Sequence, residues 1–237
     1  MLPDEQGLNI PLDLAFAFHT DAGTFWGDTI VGTLGIYMTH HNDERFENGR
    51  SRWASRDLSE LVMNEIVNDI RREYEPHWTR RHLWNRSYAE ARLPNVPTML
   101  LELLSHQNFA DMRYGLDPSF RFTVSRSIYK GMLQFLATQY NRPYVVQPLP
   151  VKAFSTRFIG ETEVTLTWQP ETDPAEPTAL PTGYIVFTRI NEGGFDNGVR
   201  VDNNSYQTTI QKDSIYSFRV VALNEGGKSF PSETLSL

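Results

Sequence analysis

Apolar and polar positions alternate from Leu12 to Phe18 and again from Thr33 to Met38, and a continuous apolar run follows at Thr98 to Leu103. Each length and pattern predicts a β-strand. Between the second and third, Leu58, Leu61, Val62, Ile66 and Ile70 recur at helical spacing and predict a helix over 57–70, with Ser55 or Asp57 as its cap. A last helix is expected from about Ser119 to Tyr140, its core stripe made of Phe122, Ile128, Tyr129, Met132, Leu133 and Leu136. This alternation of strand and helix signals predicts an α/β domain over residues 1–142.

The run Pro143-Tyr-Val-Val-Gln-Pro-Leu-Pro150 cannot continue a helix and reads as a stiff linker over 143–150. Beyond it the pattern is all β. Glu163–Trp168, Gly183–Arg189, Ser205–Ile210 and Ile215–Asn224 alternate and are separated by turn residues, so residues 151–237 form a second, all-β domain.

Composition narrows the function. The 237 residues carry a formal charge of −7 and no lysine-rich tract, which excludes a phosphate-tracking nucleic-acid binder. No apolar run approaches the roughly 18 residues of a transmembrane helix. The absence of cysteine excludes disulfides and thiolate metal ligands. The N-terminus has no signal-peptide pattern.

Candidate chemistry gathers where strands give way to loops. The run ending at Glu102 delivers a carboxylate that is costly in apolar surroundings, so Glu102 is expected at the strand mouth, facing a metal, a water or a substrate; a salt-bridged rim glutamate is the other reading. The first strand runs into His19, and in an open α/β sheet such strand ends meet at one crevice. The loop 40–56 holds His40, His41, Arg50, Arg52 and Arg56. Adjacent histidines on an extended chain point apart, so the pair is a poor chelate. The arginines either clamp substrate carboxylates or form surface pairs. His106, Asn108 and Asp111 follow Glu102 and either touch the ligand or brace the loop. In the second domain, Phe195 sits among glycines in 191–198 and is either a sugar-stacking ring or part of a hairpin turn.

These residues carry a resemblance. Phe18-His19-Thr20-Asp21-Ala22, with Pro97, Leu100, Glu102, Asn108 and Asp111 at matching intervals, resembles the C-terminal half of a zinc-dependent N-acetylmuramoyl-L-alanine amidase catalytic domain, over about residues 8 to 140. Leu104-Ser105-His106-Gln107 departs from that family's Gly-Phe-Leu-Ser. The resemblance implies a partial amidase-like sheet with flanking helices, His19 as one Zn2+ ligand and Glu102 as general base. It also implies two further ligands in sequence preceding residue 1, so Met1 is read as a fragment boundary. A secretion signal is expected in that same preceding sequence, and the location is extracellular or periplasmic. The second domain resembles a fibronectin type III sandwich: Trp168 falls at the core tryptophan, Tyr184 at the central-strand tyrosine and Tyr216 at the tyrosine corner.

The implied activity is zinc-assisted cleavage of the lactyl-L-alanine amide of peptidoglycan, with peptidoglycan or another glycan as partner. Two alternatives stand beside it. One is a non-catalytic adhesion or polysaccharide-binding scaffold, and the other is a different polysaccharide-degrading enzyme with the same module order. None of these patterns encodes stem-peptide preference or oligomeric state.

Overall fold

The computed structural model describes residues 11–237. The chain divides into two compact units, Met1–Arg142 and Pro143–Leu237.

The first unit is a mixed helix and sheet region. Its strands are β1 (Ala15–Asp21), β2 (Leu34–Tyr37), β3 (Trp84–Asn85) and β4 (Thr98–Ser105), arranged β1-β4-β2-β3. β1 runs parallel to β4, β2 antiparallel to β4, and β3 parallel to β2. Helices α1 (Trp53–Glu73) and α4 (Pro118–Tyr140) are long; α2 (Ala89–Arg92) and α3 (Phe109–Gly115) are short.

Side chains alternate across a strand, so the sheet has two distinct faces. Met99, Leu101 and Leu103 join Leu58, Val62, Ile66 and Ile70 of α1 and Phe120, Val124 and Phe135 of α4 in the main core. Leu34, Ile36 and Leu100, with Ala17 and Trp84, form a smaller cluster. His19 and Glu102 continue the series Ala17 and Leu100, which places both on the face opposite α1 and α4.

Between His19 and Asp21 the register shifts: His19 faces Glu102, whereas Asp21 faces Ser105. β4 therefore carries one extra residue, a β-bulge. This explains why the adjacent Leu103 and Leu104 both belong to the helical-side core.

Three expectations need correction. His19 and Glu102 lie within their strands, because backbone pairing continues through Asp21 and Ser105 although the apolar pattern stops. Neither Ser55 nor Asp57 caps α1. The N-cap is Arg52, and Ser55 is buried, its hydroxyl accepting from Thr98 N at 3.0 Å. On α4, Phe122 is exposed, and Phe120, Val124 and Phe135 form the fully buried stripe with Ile128, Met132 and Leu136 beside it. Two residues turn a helix by about 200°, so Phe120 and Phe122 cannot share a face.

α1 and α4 meet closely at Gly131, where an added Cβ would stand 2.5 Å from Val62 Cα. Next to this contact lies a buried ionic network. Lys130 Nζ is 2.8 Å from Asp69 Oδ2 and 3.0 Å from Glu65 Oε2. Arg72 reaches Asp69 Oδ1 at 2.8 Å, and Ser127 Oγ donates to Asp69 Oδ2 at 2.6 Å. Burial alone would depress the Lys130 ammonium, but the hydrogen bonds and charges of Asp69 and Glu65 outweigh it and raise the pKa above the ordinary lysine value.

The second unit is a sandwich. One sheet is β5 (Lys152–Phe158), β6 (Glu163–Gln169) and β9 (Ser205–Thr209). The other contains β7 (Gly183–Ile190), β8 (Val199–Val201), β10 (Tyr216–Asn224), β11 (Gly227–Lys228) and β12 (Leu235–Ser236). Trp168, Tyr184, Val186, Tyr216, Phe218 and Val220 fill its core. The Tyr216 hydroxyl accepts from Gln211 N at 3.3 Å, closing a tyrosine corner. The segment before β5 is tied to this unit: Val146 is buried, its N–H donates to Thr178 Oγ1 at 3.0 Å, and its carbonyl accepts from Asn224 Nδ2 at 2.9 Å.

Two outcomes follow for the helix pair. Gly131→Ala should destabilise the first unit by about 1–3 kcal/mol through forced separation of α1 and α4, measured by urea denaturation. The raised Lys130 pKa means that its ion pairs contribute fully below the unfolded lysine value of about 10.4 and are lost as pH rises through the folded value. The alkaline loss of stability in a pH series of melting curves should therefore be shallower in Lys130→Met than in the parent.

Candidate functional site

β1 and β4 bring two reactive side chains together. His19 and Glu102 are direct Cα partners in the parallel ladder. The imidazole Nδ1 lies 4.0 Å from Glu102 Oε1, and its Nε2 lies 3.7 Å from Glu90 Oε1, which arrives from α2. At 4.0 Å the Glu102 carboxylate is near His19 without being engaged in a hydrogen bond to it.

Glu102 is the most enclosed of the three, with a side chain only 14% exposed, against 40% for His19 and 46% for Glu90. Its Oε2 is buried and has no hydrogen-bond partner among the described residues. Burial is the main cause that raises its pKa above the usual carboxylate value, and the charge of Asp21 adds to it; His19, Arg81 and His106 pull the other way. A carboxylate held in this way is a stronger base than a solvated one and keeps an oxygen free to take a proton.

Asp21 is itself paired, its Oδ2 receiving Arg81 Nη1 at 2.5 Å. Arg81 also stacks over Trp84 at 5.4 Å, and Trp84 Nε1 donates to His82 Nε2 at 2.9 Å. His106 stands at the rim, its Nδ1 3.2 Å from Thr20 Oγ1, while its backbone N–H donates to Asp21 O at 3.0 Å.

Asn108 and Asp111 are fully buried and hold backbone. The Asp111 carboxylate accepts from Val31 N (2.9 Å), Gly32 N (3.2 Å) and Ser105 N (2.8 Å). Asn108 caps α3 by accepting from Asp111 N and donates to Thr29 O. These two side chains fix the end of β4 against the approach to β2.

The loop arginines do not join this cluster. Arg50 bonds Gln139 on α4. Arg52 is buried, donates to the carbonyls of Arg45 and Arg92, and lies over Phe46. Burial lowers its pKa. His40 faces Glu44 at 3.0 Å. In the second unit, Phe195 is covered by Arg219 at 4.1 Å and Arg189 at 5.2 Å, so its ring already has cationic partners.

Arg81 and Glu90 were not candidates from the sequence. Arg81 sits in the basic tract 80–82 and Glu90 in the short helical segment before Pro94, and neither carries a local signal. Their approach to His19 and Asp21 arises from tertiary folding alone.

A catalytic zinc takes three protein ligands and leaves one position open. Among the described residues, no group of three His, Asp or Glu side chains is arranged to hold a metal ion. The His19–Glu90 pair supplies at most two donors. The described residues therefore do not by themselves fit a zinc centre. Among them, no helix is long and apolar enough to cross a membrane.

No curated protein matches the chain. Solved structures match a little over a third of the chain. The twitchin kinase region from C. elegans is 23% identical, with 38% of this chain and 16% of that chain covered and a TM-score of 0.34. The FN1–FN3 domains of chicken CNTN1 are 18% identical, with 39% and 32% covered and a TM-score of 0.33. The FN5 domain of Drosophila Lar is 21% identical, with 38% and 94% covered and a TM-score of 0.30. The matched part thus spans a minor share of the first two chains. The family described as "Fibronectin type III domain" matches residues 149–237. Residues 149–237 are a fibronectin type III domain.

Proposed function

We propose that the first unit is part of a hydrolytic domain of the N-acetylmuramoyl-L-alanine amidase type, acting on peptidoglycan outside the cytoplasm. The observation that carries this reading is the pairing of His19 with Glu102 across β1 and β4, with one Glu102 oxygen buried and unpartnered among the described residues.

In this reading Glu102 is the general base. Its free oxygen takes a proton from the attacking water and returns it to the amine that leaves when the lactyl-L-alanine amide breaks. Enclosure keeps that oxygen away from bulk solvent, and the Asp21 charge strengthens its affinity for the proton. Arg81 neutralises Asp21 from the other side and limits that push. His106 stands at the rim as a substrate-side donor, while Asn108 and Asp111 fix the loop. Arg50 and Arg52 act as scaffold residues.

In this reading His19, whose Nε2 lies 3.7 Å from Glu90, is the described residue that would hold a zinc ion. Zinc, when bound, acts as the Lewis acid that polarises the carbonyl and the water. Glu90, 3.7 Å from the same ring nitrogen, is the other side chain that would be within reach of such an ion.

The fibronectin type III domain favours a second reading, a non-catalytic scaffold that presents the first unit to a polysaccharide. The two readings separate cleanly by experiment. With purified peptidoglycan, Glu102→Gln in the intact protein should reduce release of stem-peptide amines by about 100- to 10,000-fold and leave zinc content unchanged. His19→Ala should lower the zinc content itself. Hydrolysis that persists in Glu102→Gln would overturn the base assignment. A folded protein that binds the polysaccharide with neither zinc nor hydrolysis would favour the scaffold.

A further inference from the structure

The turn that follows β1 carries an aromatic pair, Phe25 and Trp26, that belongs to none of the hydrophobic clusters of the described residues. Trp26 is 99% exposed and Phe25 is 52% exposed, and Phe109, at the start of α3, is 77% exposed. Tryptophan is among the most buried residue types on average, so one left wholly in water needs a reason.

Looseness of the loop is not that reason. Gly23 O accepts from Ser105 Oγ at 2.5 Å, and Ala22 N donates to Asp21 Oδ1 at 2.8 Å. Within the loop, Asp28 N donates to Phe25 O at 3.1 Å. On the far side, Asp28 Oδ1 accepts from Phe109 N at 3.1 Å and Ala110 N at 3.4 Å, and Thr29 O accepts from Asn108 Nδ2 at 3.1 Å. Asp28 holds a left-handed φ of 51° to make these contacts. The backbone is thus fixed on both sides of the aromatic pair, and little ordering entropy is left for a ligand to overcome.

The platform adjoins the candidate site. Gly23 is tied to Ser105, which pairs with Asp21, two residues beyond His19. Trp26 is three residues from that tether, so its Cα lies no more than about 11 Å away.

From this geometry we infer that Trp26, with Phe25 and Phe109, is a stacking platform for the pyranose rings of a neutral glycan strand that runs into the His19–Glu102 site. The apolar face of a sugar ring covers an indole, and its hydroxyls meet the exposed polar residues Thr24, His106 and Gln107. Scale supports a small ligand. The three rings expose on the order of 400–500 Å², well below the roughly 800 Å² that each partner buries in a standard protein interface. Chemistry argues against an anionic ligand or lipid, since segments 22–30 and 105–112 contain no lysine or arginine. The glycan's identity as substrate rests on the hydrolase reading, whereas the platform itself does not.

The test is a calorimetric titration of the intact protein in the Glu102→Gln background, so that binding is read without turnover. The probes are the N-acetylglucosamine hexamer and insoluble peptidoglycan sacculi. Trp26→Ala should weaken binding of both at least 10-fold, Trp26→Tyr should retain most of it, and Phe25→Ala and Phe109→Ala should fall between. Because Trp26 is 99% exposed, thermal melting should be unchanged in its two variants. Absence of saccharide binding, or equal binding by Trp26→Ala, would overturn the inference. So would Trp26-dependent partition onto phosphatidylcholine vesicles, or Trp26-dependent dimerisation, in a protein that binds neither probe. Hydrolysis of a soluble muramoyl dipeptide by the protein with Glu102 intact, without glycan binding, would sink the platform and leave the hydrolase. Trp26-dependent glycan binding without hydrolysis would do the reverse.

Discussion

The parallel pairing of β1 with β4 is the constraint on which the first unit depends. These strands lie far apart in sequence, and their ladder sets His19 opposite Glu102 while their other faces supply Phe16, Met99 and Leu101 to the helical core. A one-residue slip would exchange the two faces and place a carboxylate among the leucines of α1. Packing therefore fixes the site. The apolar burial on one side makes any other register too costly, and the polar side inherits its geometry from that choice.

The elements legible in the sequence are those whose periodicity continues long enough to average out exceptions. α1 is one, because Leu58, Val62, Ile66 and Ile70 mark a single face over several turns. α4 is only half legible: its length and end are evident, but Phe122 attracts attention by its size although helix phase turns it outward. Strand ends are obscured because backbone pairing does not require apolar side chains, so β1 and β4 extend through Thr20, Asp21 and Ser105. In the sandwich, Trp168, Tyr184 and Tyr216 announce themselves, whereas β5, largely polar, and β8, only 3 residues long, do not.

The same distinction holds at the site. His19 and Glu102 each stand out locally, as a polar group that interrupts an apolar strand, and so each can be read alone. Arg81 and Glu90 come from segments without strong periodicity, and only the folded chain shows that they flank the pair. Arg52 shows the converse. Its setting among loop arginines suggests surface chemistry, yet burial against the Phe46 ring and bonds to two carbonyls make it an internal strut.

Because β4 carries one residue more than β1 across the step from His19 to Asp21, it is out of phase with itself. Upstream of Leu103 its alternation divides core from site in the ordinary way; downstream the parity is reversed, and Ser105 reaches the Gly23 carbonyl only because of that reversal. Changes of side chain at Leu103 and Leu104 are thus questions of volume, but a change of chain length there is a question of address. Losing one residue would leave the helical core nearly intact while turning the tether, and the aromatic turn that hangs from it, away from the site.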